Sequence, residues 1–422
     1  MSVVDLVIVL LGASILALGL PSNVIKRLWL SVPLLALLAG VLLGPEVLAA
    51  LEPDRLGREH QVLEELARVT LAVSLVGTAL QMTRADLRGI WKRAASLLTI
   101  AMVGMWLLTS LGAWLVLGLP VWVALLLGAI LTPTDPVVAS TLVTGRLAEA
   151  NLPRWLRRSL QLEAGANDGL ALVFVLVPAL VLTLPDDDPA TIAREAVGQV
   201  ALALIVGAAI GAIAAKVVDL AEDHQATSGG FFLVSALALA LLTLGAVHAL
   251  GGTGILGAFA AGLTFSLMLE ERYAEQLEAT QDGLQQLLVV PVFLLFGSLL
   301  PWDGWIDLGW SGVAFALWAL VVRRPAVAAL ALAVAPTPTP RRGIAFLSWY
   351  GPLGVAAIYY TLFVERYELA EFERLFAAGT LAITVSVLVF SLSATPGVRR
   401  YAGRRATTTL RHPLTKDIDA AP

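Results

Sequence analysis

Apolar residues along this chain gather in long unbroken blocks, separated by short polar stretches that hold most of the charge. They do not alternate as in a strand, nor recur at every third or fourth position as on a surface helix. Wound as helix, a block of about 20 residues spans the roughly 30 Å hydrocarbon core of a bilayer. Blocks fall near 3–20, 28–43, 62–82, 94–118, 121–143, 156–184, 190–218, 229–249, 252–269, 284–300, 308–334, 343–364 and 372–394, which predicts thirteen membrane helices. The first block is read as a retained helix, because its first charge is Asp5 and it lacks the basic start and cleavage site of a signal peptide.

Composition agrees with an all-α polytopic membrane protein. The 422 residues are 58% hydrophobic and 14% charged, with a mean hydropathy of +0.83, whereas soluble domains carry about 25% charge. The absence of cysteine removes disulfides, thiolate nucleophiles and cysteine metal sites, and the four histidines are scattered. No cofactor is expected, and a net charge of −4 argues against nucleic acid as a partner.

The placement of Lys and Arg says more than their sum. Counted by loop, twenty of them, the tail included, fall on the side of the first loop with Lys26 and Arg27, and only five on the other: Arg55, Arg58, Arg194, Arg366 and Arg374. This bias predicts a multi-pass protein of the cell membrane with the N-terminus outside and the C-terminus cytoplasmic. Residues 1–395 form the transmembrane domain, and 396–422 form a short basic cytoplasmic tail whose charge suits anionic lipid. Opposed ends permit two six-helix halves of inverted orientation, about 1–184 and 229–395, joined by the helix at 190–218.

Two apolar blocks are interrupted at corresponding positions of these halves. LTPTDPVVAS at 131–140 places Pro133 and Pro136 in the fifth helix, and WYGPLG at 349–354 places Gly351, Pro352 and Gly354 in its counterpart. Breaks paired in this way mark the binding site in inverted-repeat transporters. Asp135 is the only charged residue between Arg93 and Arg146.

The next helix, LQLEAGANDGLALVFV, adds Glu163, Asn167 and Asp168. Glu163 and Asn167 share a face by their spacing, while Asp168 lies about 100° further round. Each charge at mid-membrane costs about 2.5 to 3.5 kcal/mol, so three acids demand partners or a wet cavity. Arg323 and Arg324, which precede Pro325 in ALWALVVRRPAVAALAL, supply a partner. One of them neutralises Glu163 and leaves Asp168 to exchange its counter-ion.

Together, TDP at 134–136, E-x-x-x-N-D at 163–168 and the R-P pair at 324–325 resemble the monovalent cation:proton antiporters, specifically the NhaP-type sodium/proton exchangers of the CPA1 group. GILGAFAAGL at 254–263 and PVFLLFGSLL at 291–300 extend the resemblance from about the third helix to the last. It implies the fold of the sodium/proton antiporter NhaA, with two inverted six-helix repeats, crossed discontinuous helices, a core domain and a dimerisation domain, hence a homodimer. It implies that Asp168 binds the transported cation and exchanges the proton, with Thr134, Asp135 and Asn167 beside it, and that Glu163 pairs with Arg324. Asn167 in place of an aspartate implies electroneutral exchange in the service of pH homeostasis. Sodium is the expected cation, with potassium or lithium as alternatives.

The chain departs from the family pattern at Ala164, where a small polar residue is common, at Leu353, where many exchangers carry arginine, and in helix 3, whose Glu64 and Glu65 lie near its start. Two other readings stand beside antiport. A cation channel would use the same fold, and an intramembrane aspartyl protease would use Asp135 and Asp168 as a dyad. The protease reading lacks the GxGD surroundings, so no enzyme is expected. GTGILG at 252–257 follows no strand and reads as close helix packing instead of a nucleotide loop. PWDGWIDLGW at 301–310 reads as an interfacial aromatic belt, PDDDP at 185–189 as a solvated outer loop, and His248 as a packed helix-end residue.

Overall fold

The computed structural model describes residues 31–51, 58–135, 145–184, 188–223, 231–269 and 287–403, with isolated positions elsewhere. The expected first helix, Pro136, residues 185–187 and the tail from 404 lie outside the described residues.

Every regular element among the described residues is helical. In chain order they are α1 (Val32–Leu43), α2 (Glu59–Leu80), α3 (Arg84–Leu117), α4 (Val121–Ile130), α5 (Gly145–Asn151), α6 (Arg154–Thr183), α7 (Pro189–Asp223) and α8 (Phe231–Ala249). There follow α9 (Gly254–Met268), α10 (Leu287–Ser298), α11 (Trp302–Val321), α12 (Pro325–Val334), α13 (Arg341–Trp349), α14 (Val355–Phe363) and α15 (Phe372–Ala402). Starts are set locally. Ser31 caps α1 by accepting from the Leu34 amide at 3.2 Å, Thr83 caps α3 through the Asp86 amide at 3.1 Å, and prolines open or immediately precede α4, α6, α12 and α13.

Helix ends depart from the limits of the apolar blocks. α3 begins ten residues before its block, taking in Arg84, Arg88, Lys92 and Arg93, and passes through a π turn at Leu97–Ala101. α7 continues to Asp223, and α15 continues to Ala402, past its expected end at 394 and into the stretch assigned to the tail. The block at 308–334 is two helices, because the chain leaves α11 at Val322 and Pro325 starts α12 afresh. Hydropathy reports immersion, whereas a helix runs as far as its backbone hydrogen bonds and caps allow.

The helices pack in two groups. α2, α7, α8 and α9 lie against one another, with α10 beside α1, as a panel. α3, α4, α6 and α11 to α15 form a bundle. Within the panel α7 and α9 touch backbone to backbone: a Cβ at Gly207 would collide with the Gly257 carbonyl, and one at Gly211 with that of Ala261. Such contacts are how membrane helices gain packing when lipid is as apolar as their side chains. α6 and α14 form the face of the bundle that meets the panel, against α2 and α9.

This close approach is testable within one helix. Gly207→Val should lower the melting temperature of the detergent-solubilised protein by several degrees, since overpacking costs about 1 to 3 kcal/mol. Gly198→Val, on the same helix with nothing within 4 Å of a built Cβ, should leave it unchanged.

Candidate functional site

α4 stops at Ile130, and the chain from Leu131 to Asp135 is non-helical and buried. α13 stops at Trp349, and Tyr350 to Gly354 is likewise non-helical and buried before α14 begins at Val355. The two breaks are joined directly, because the Asp135 amide donates to the Pro352 carbonyl at 2.8 Å. Pro133 lies in the first break, and Gly351, Pro352 and Gly354 in the second. A helix interrupted in an apolar interior leaves carbonyls free at one end and amides at the other, and each free group must find a partner.

Two charged side chains meet that demand. Asp135 takes the amide end: its Oδ2 accepts from the Val355 amide at 2.5 Å and its Oδ1 from the Val138 amide at 3.3 Å. A carboxylate at the positive end of α14 is stabilised by the helix dipole as well. Gly354 makes the approach possible, since a Cβ there would fall on the Asp135 carboxylate. Arg323 takes the carbonyl ends of both breaks. Its Nη1 donates to the Leu131 carbonyl, and to those of Thr132 and Pro133 at 3.3 and 3.4 Å, while Nη2 donates to the Gly351 carbonyl at 2.6 Å.

Arg324 turns the other way. Its two terminal nitrogens donate to the two Glu163 oxygens at 2.7 and 2.8 Å, and its Nε donates to the Leu347 carbonyl at 3.0 Å. Arg324 and Glu163 are each 1% exposed. A buried pair survives only when geometry is good and the remaining hydrogen-bond capacity is used, and this fork-to-fork arrangement meets both conditions. Glu163 also accepts from Asn167 Nδ2 at 3.2 Å. The same amide group donates to Thr134 Oγ1 at 2.8 Å, and Asn167 Oδ1 accepts from the Thr134 backbone amide at 3.2 Å. One asparagine thus links the unwound segment after α4 to the Glu163–Arg324 pair.

Asp168 is different from its neighbours. It is 1% exposed, it has Asp135 and Glu163 as charged neighbours, and its Oδ1 has no hydrogen-bond partner. Its backbone carbonyl accepts from the Tyr360 hydroxyl at 2.7 Å, which ties α6 to α14 at this level. A buried carboxylate oxygen without a donor is costly, and the neighbouring residue on α6, Asn167, is bonded to Thr134 of the unwound segment. A buried carboxylate oxygen with no donor, in a cluster of three acids, suits a proton or a small hard cation as occupant.

Thr134 and Asp135 of the first break, Glu163, Asn167 and Asp168 of α6, and Arg324 at the start of α12 are therefore brought together from three segments, while Pro136 lies outside the described residues. Sequence reasoning left Arg323 without a task of its own. The signal was present, since two adjacent arginines in an apolar run each need separate neutralisation, and only one acid was allotted to them. Tyr360 gave no signal, because a tyrosine in an apolar helix is ordinary core until its hydroxyl partner is known.

Comparison with known proteins gives the family and the fold. Residues 11–400 match the family model described as sodium/hydrogen exchanger, transmembrane. A probable Na(+)/H(+) antiporter of Schizosaccharomyces pombe is 30% identical over 358 residues, covering 82% of this chain and 46% of that protein. Na(+)/H(+) antiporter 2 of Zygosaccharomyces rouxii is 30% identical, covering 79% and 42%. The chain thus spans about half the length of these fungal relatives, or less. The K(+)/H(+) antiporter NhaP2 of Shewanella sp. strain ANA-3 is 26% identical, covering 92% and 66%. The solved structure of the sodium proton antiporter MjNhaP1 from Methanocaldococcus jannaschii has the same fold, with a TM-score of 0.78 at 20% identity over 97% of this chain and 100% of that one.

The buried pair makes a stability prediction. Arg324→Ala should destabilise the protein by about 3 to 5 kcal/mol, since it strands the Glu163 carboxylate. Adding Glu163→Gln should recover part of that loss, as read by thermal unfolding in detergent; no recovery would mean that the loss comes from packing alone.

Proposed function

The chain belongs to the transmembrane sodium/hydrogen exchanger family, a family of membrane-embedded, multi-pass transporters, and from that premise we propose that it is an electroneutral antiporter. It exchanges one monovalent cation, sodium, for one proton across the cell membrane, by alternating access to Asp168. The N-terminus faces outside and the C-terminus the cytoplasm, in keeping with the charge bias of the loops. The protein acts as a homodimer in lipid, with halves 1–184 and 229–395 as the inverted repeats around the site.

The observation that carries this reading is the charge count at the crossing. Among the described residues, Asp135, Glu163 and Asp168 stand with Arg323 and Arg324, all of them at most 3% exposed, so three negative and two positive charges leave one negative. Arg324 neutralises Glu163, and Arg323 and Asp135 compensate the ends of the broken helices. The remaining charge belongs to Asp168, the carboxylate with the unpartnered oxygen. One proton or one monovalent cation brings the site to neutrality, and both loaded forms then carry the same charge. The empty form carries an uncompensated charge in a low-polarity setting, which opposes its reorientation. A carrier that moves readily only when loaded, with one of two mutually exclusive ions, is an exchanger.

The Thr134 hydroxyl and the Asn167 side-chain oxygen supply neutral oxygens that replace part of the hydration shell of the cation. Selection by such a shell depends on small differences in oxygen placement. Potassium/proton exchange is therefore a second reading, favoured by the likeness to the Shewanella K(+)/H(+) antiporters.

Asp168→Asn should abolish cation/proton exchange in proteoliposomes while preserving the elution profile, because it removes the titrating charge and keeps the shape. Near-normal exchange by this variant would remove Asp168 from the site. With the wild type, an imposed pH gradient and a scan of cations identify the substrate. A valinomycin-set potassium potential without a pH gradient should drive no uptake of a cation other than potassium. Protons displace the cation as pH falls and become scarce as it rises, so the rate should pass through a maximum whose acid limb moves to lower pH as cation concentration increases.

A further inference from the structure

The panel and the bundle meet along α2, and α2 carries polar contacts to the bundle near both of its ends. Its 22 residues from Glu59 to Leu80 span about 33 Å at the helical rise, close to the thickness of a bilayer core. The two sets of contacts therefore lie toward opposite membrane faces.

At the Glu59 end, His60 Nδ1 lies 3.0 and 3.1 Å from the two Glu365 oxygens, and Arg366 donates to Glu64. Glu365 and Arg366 belong to the 3-10 turn at Val364–Tyr367 that continues α14, the helix capped by Asp135 and joined to Asp168 through Tyr360. At the Leu80 end, Gln81 Oε1 accepts from Arg158 Nη1 at 3.2 Å and from Gln161 Nε2 at 2.7 Å, and Arg158 Nη1 also donates to Gln161 Oε1 at 2.8 Å. Arg158 and Gln161 lie on α6, the helix that carries Glu163 and Asp168. Arg84 adds a bond from α3 to the Leu267 carbonyl of α9 at 2.7 Å.

Between these ends the panel meets the site helix through apolar surface and glycine. A Cβ built at Gly165 would lie 3.0 Å from Phe259 and 3.2 Å from Thr78, and one at Gly169 would lie 2.8 Å from Leu256. Such a surface, apolar at these contacts, lets one helix shift past another.

We propose that these two polar clusters are the gates of the transporter, Glu64–Arg366 with His60–Glu365 at one face and Gln81–Arg158–Gln161 at the other, and that they open in alternation. The proposal rests on the antiport reading and assigns its moving parts. With both clusters closed, Asp168 is shut from both sides, as its burial records. The gates differ in chemistry. Side chains of the first are part-exposed, with Arg366 at 48% and Glu365 at 42%, so water replaces their bonds readily. Gln81, Arg158 and Gln161 are at most 7% exposed. The first gate is the looser one.

Because the chain has no cysteine, thiol pairs can be introduced without background. Glu64→Cys with Arg366→Cys, and Gln81→Cys with Arg158→Cys, are bridged by a flexible bifunctional thiol reagent with a reducible centre. Thr70→Cys with Leu288→Cys, where α2 meets the panel's own α10 at a Thr70 hydroxyl to Leu288 carbonyl bond, serves as control. Bridging either gate should lower exchange in proteoliposomes more than about tenfold, and reduction should restore it; bridging the control should change it less than about twofold. Full-rate exchange with either gate bridged, or equal loss in the control, overturns the proposal.

A second readout does not require transport. Glu64→Gln with Glu365→Gln, which loosens the first gate, should speed bridging of the Gln81→Cys and Arg158→Cys pair by about threefold, through the shift in population. An unchanged rate overturns the coupling. No exchange by the unmodified chain overturns antiport instead, and leaves this second measurement to decide the gates. Charge reversal guards against misfolding: Glu64→Arg and Arg366→Glu should each alter the bridging rate at the other gate, and their combination should return it to the parent value.

Discussion

The fold turns on compensating two broken helices inside an apolar interior. Each break frees backbone groups that hydrocarbon cannot satisfy, and a free group there costs several kcal/mol. Arg323 gathers carbonyls from both breaks and Asp135 holds the first amide of α14, so one cation and one anion serve two chain segments that are distant in sequence. Removing either charge would leave several buried groups unsatisfied at once. The crossing can therefore stay unwound without dissolving, and stay polar without filling with charge.

The remaining polar groups separate by how tightly they are held. Glu163 and Arg324 form a dry, two-pronged pair that is expensive to break, on the order of 3 to 5 kcal/mol, and it acts as a fixed post within the bundle. Ion pairs at the rim, such as Glu64–Arg366, are part-exposed and belong to the class worth about 0 to 1 kcal/mol. The first kind fixes the geometry of the crossing, whereas contacts of the second kind come apart without large barriers. Asp168 belongs to neither kind, since its Oδ1 is buried without a hydrogen-bond partner.

Packing follows the same division. Where α7 and α9 touch through backbone, with glycines at the contact, the panel is fixed in register. Where α6 faces α2 and α9 between its polar ends, the contact is apolar and smooth, with Gly165 and Gly169 under Phe259 and Leu256. α14 links the zones, since one end rests on Asp135, its middle holds the Asp168 carbonyl through Tyr360, and the turn beyond its far end reaches α2.

Membrane character, helical class and family were legible in the sequence, because the cost of placing polar groups in hydrocarbon writes itself into composition and spacing. The motifs TDP, E-x-x-x-N-D and R-P were visible for the same reason, as the few charged residues standing far inside apolar blocks. Helix ends were not legible where amphipathic turns carry a helix beyond its apolar block, as in α3 and α15, or where Arg323 and Arg324 part a single block into α11 and α12. Nor could the sequence divide labour between those two arginines. They are neighbours in the chain, identical in chemistry and equal in hydropathy. Only the tertiary structure, by setting carbonyls of residues 131–133 and 351 before one guanidinium and the Glu163 carboxylate before the other, gave each its task. Composition fixes how many buried charges must be compensated, whereas direction and distance, which belong to the fold, decide which partner compensates which.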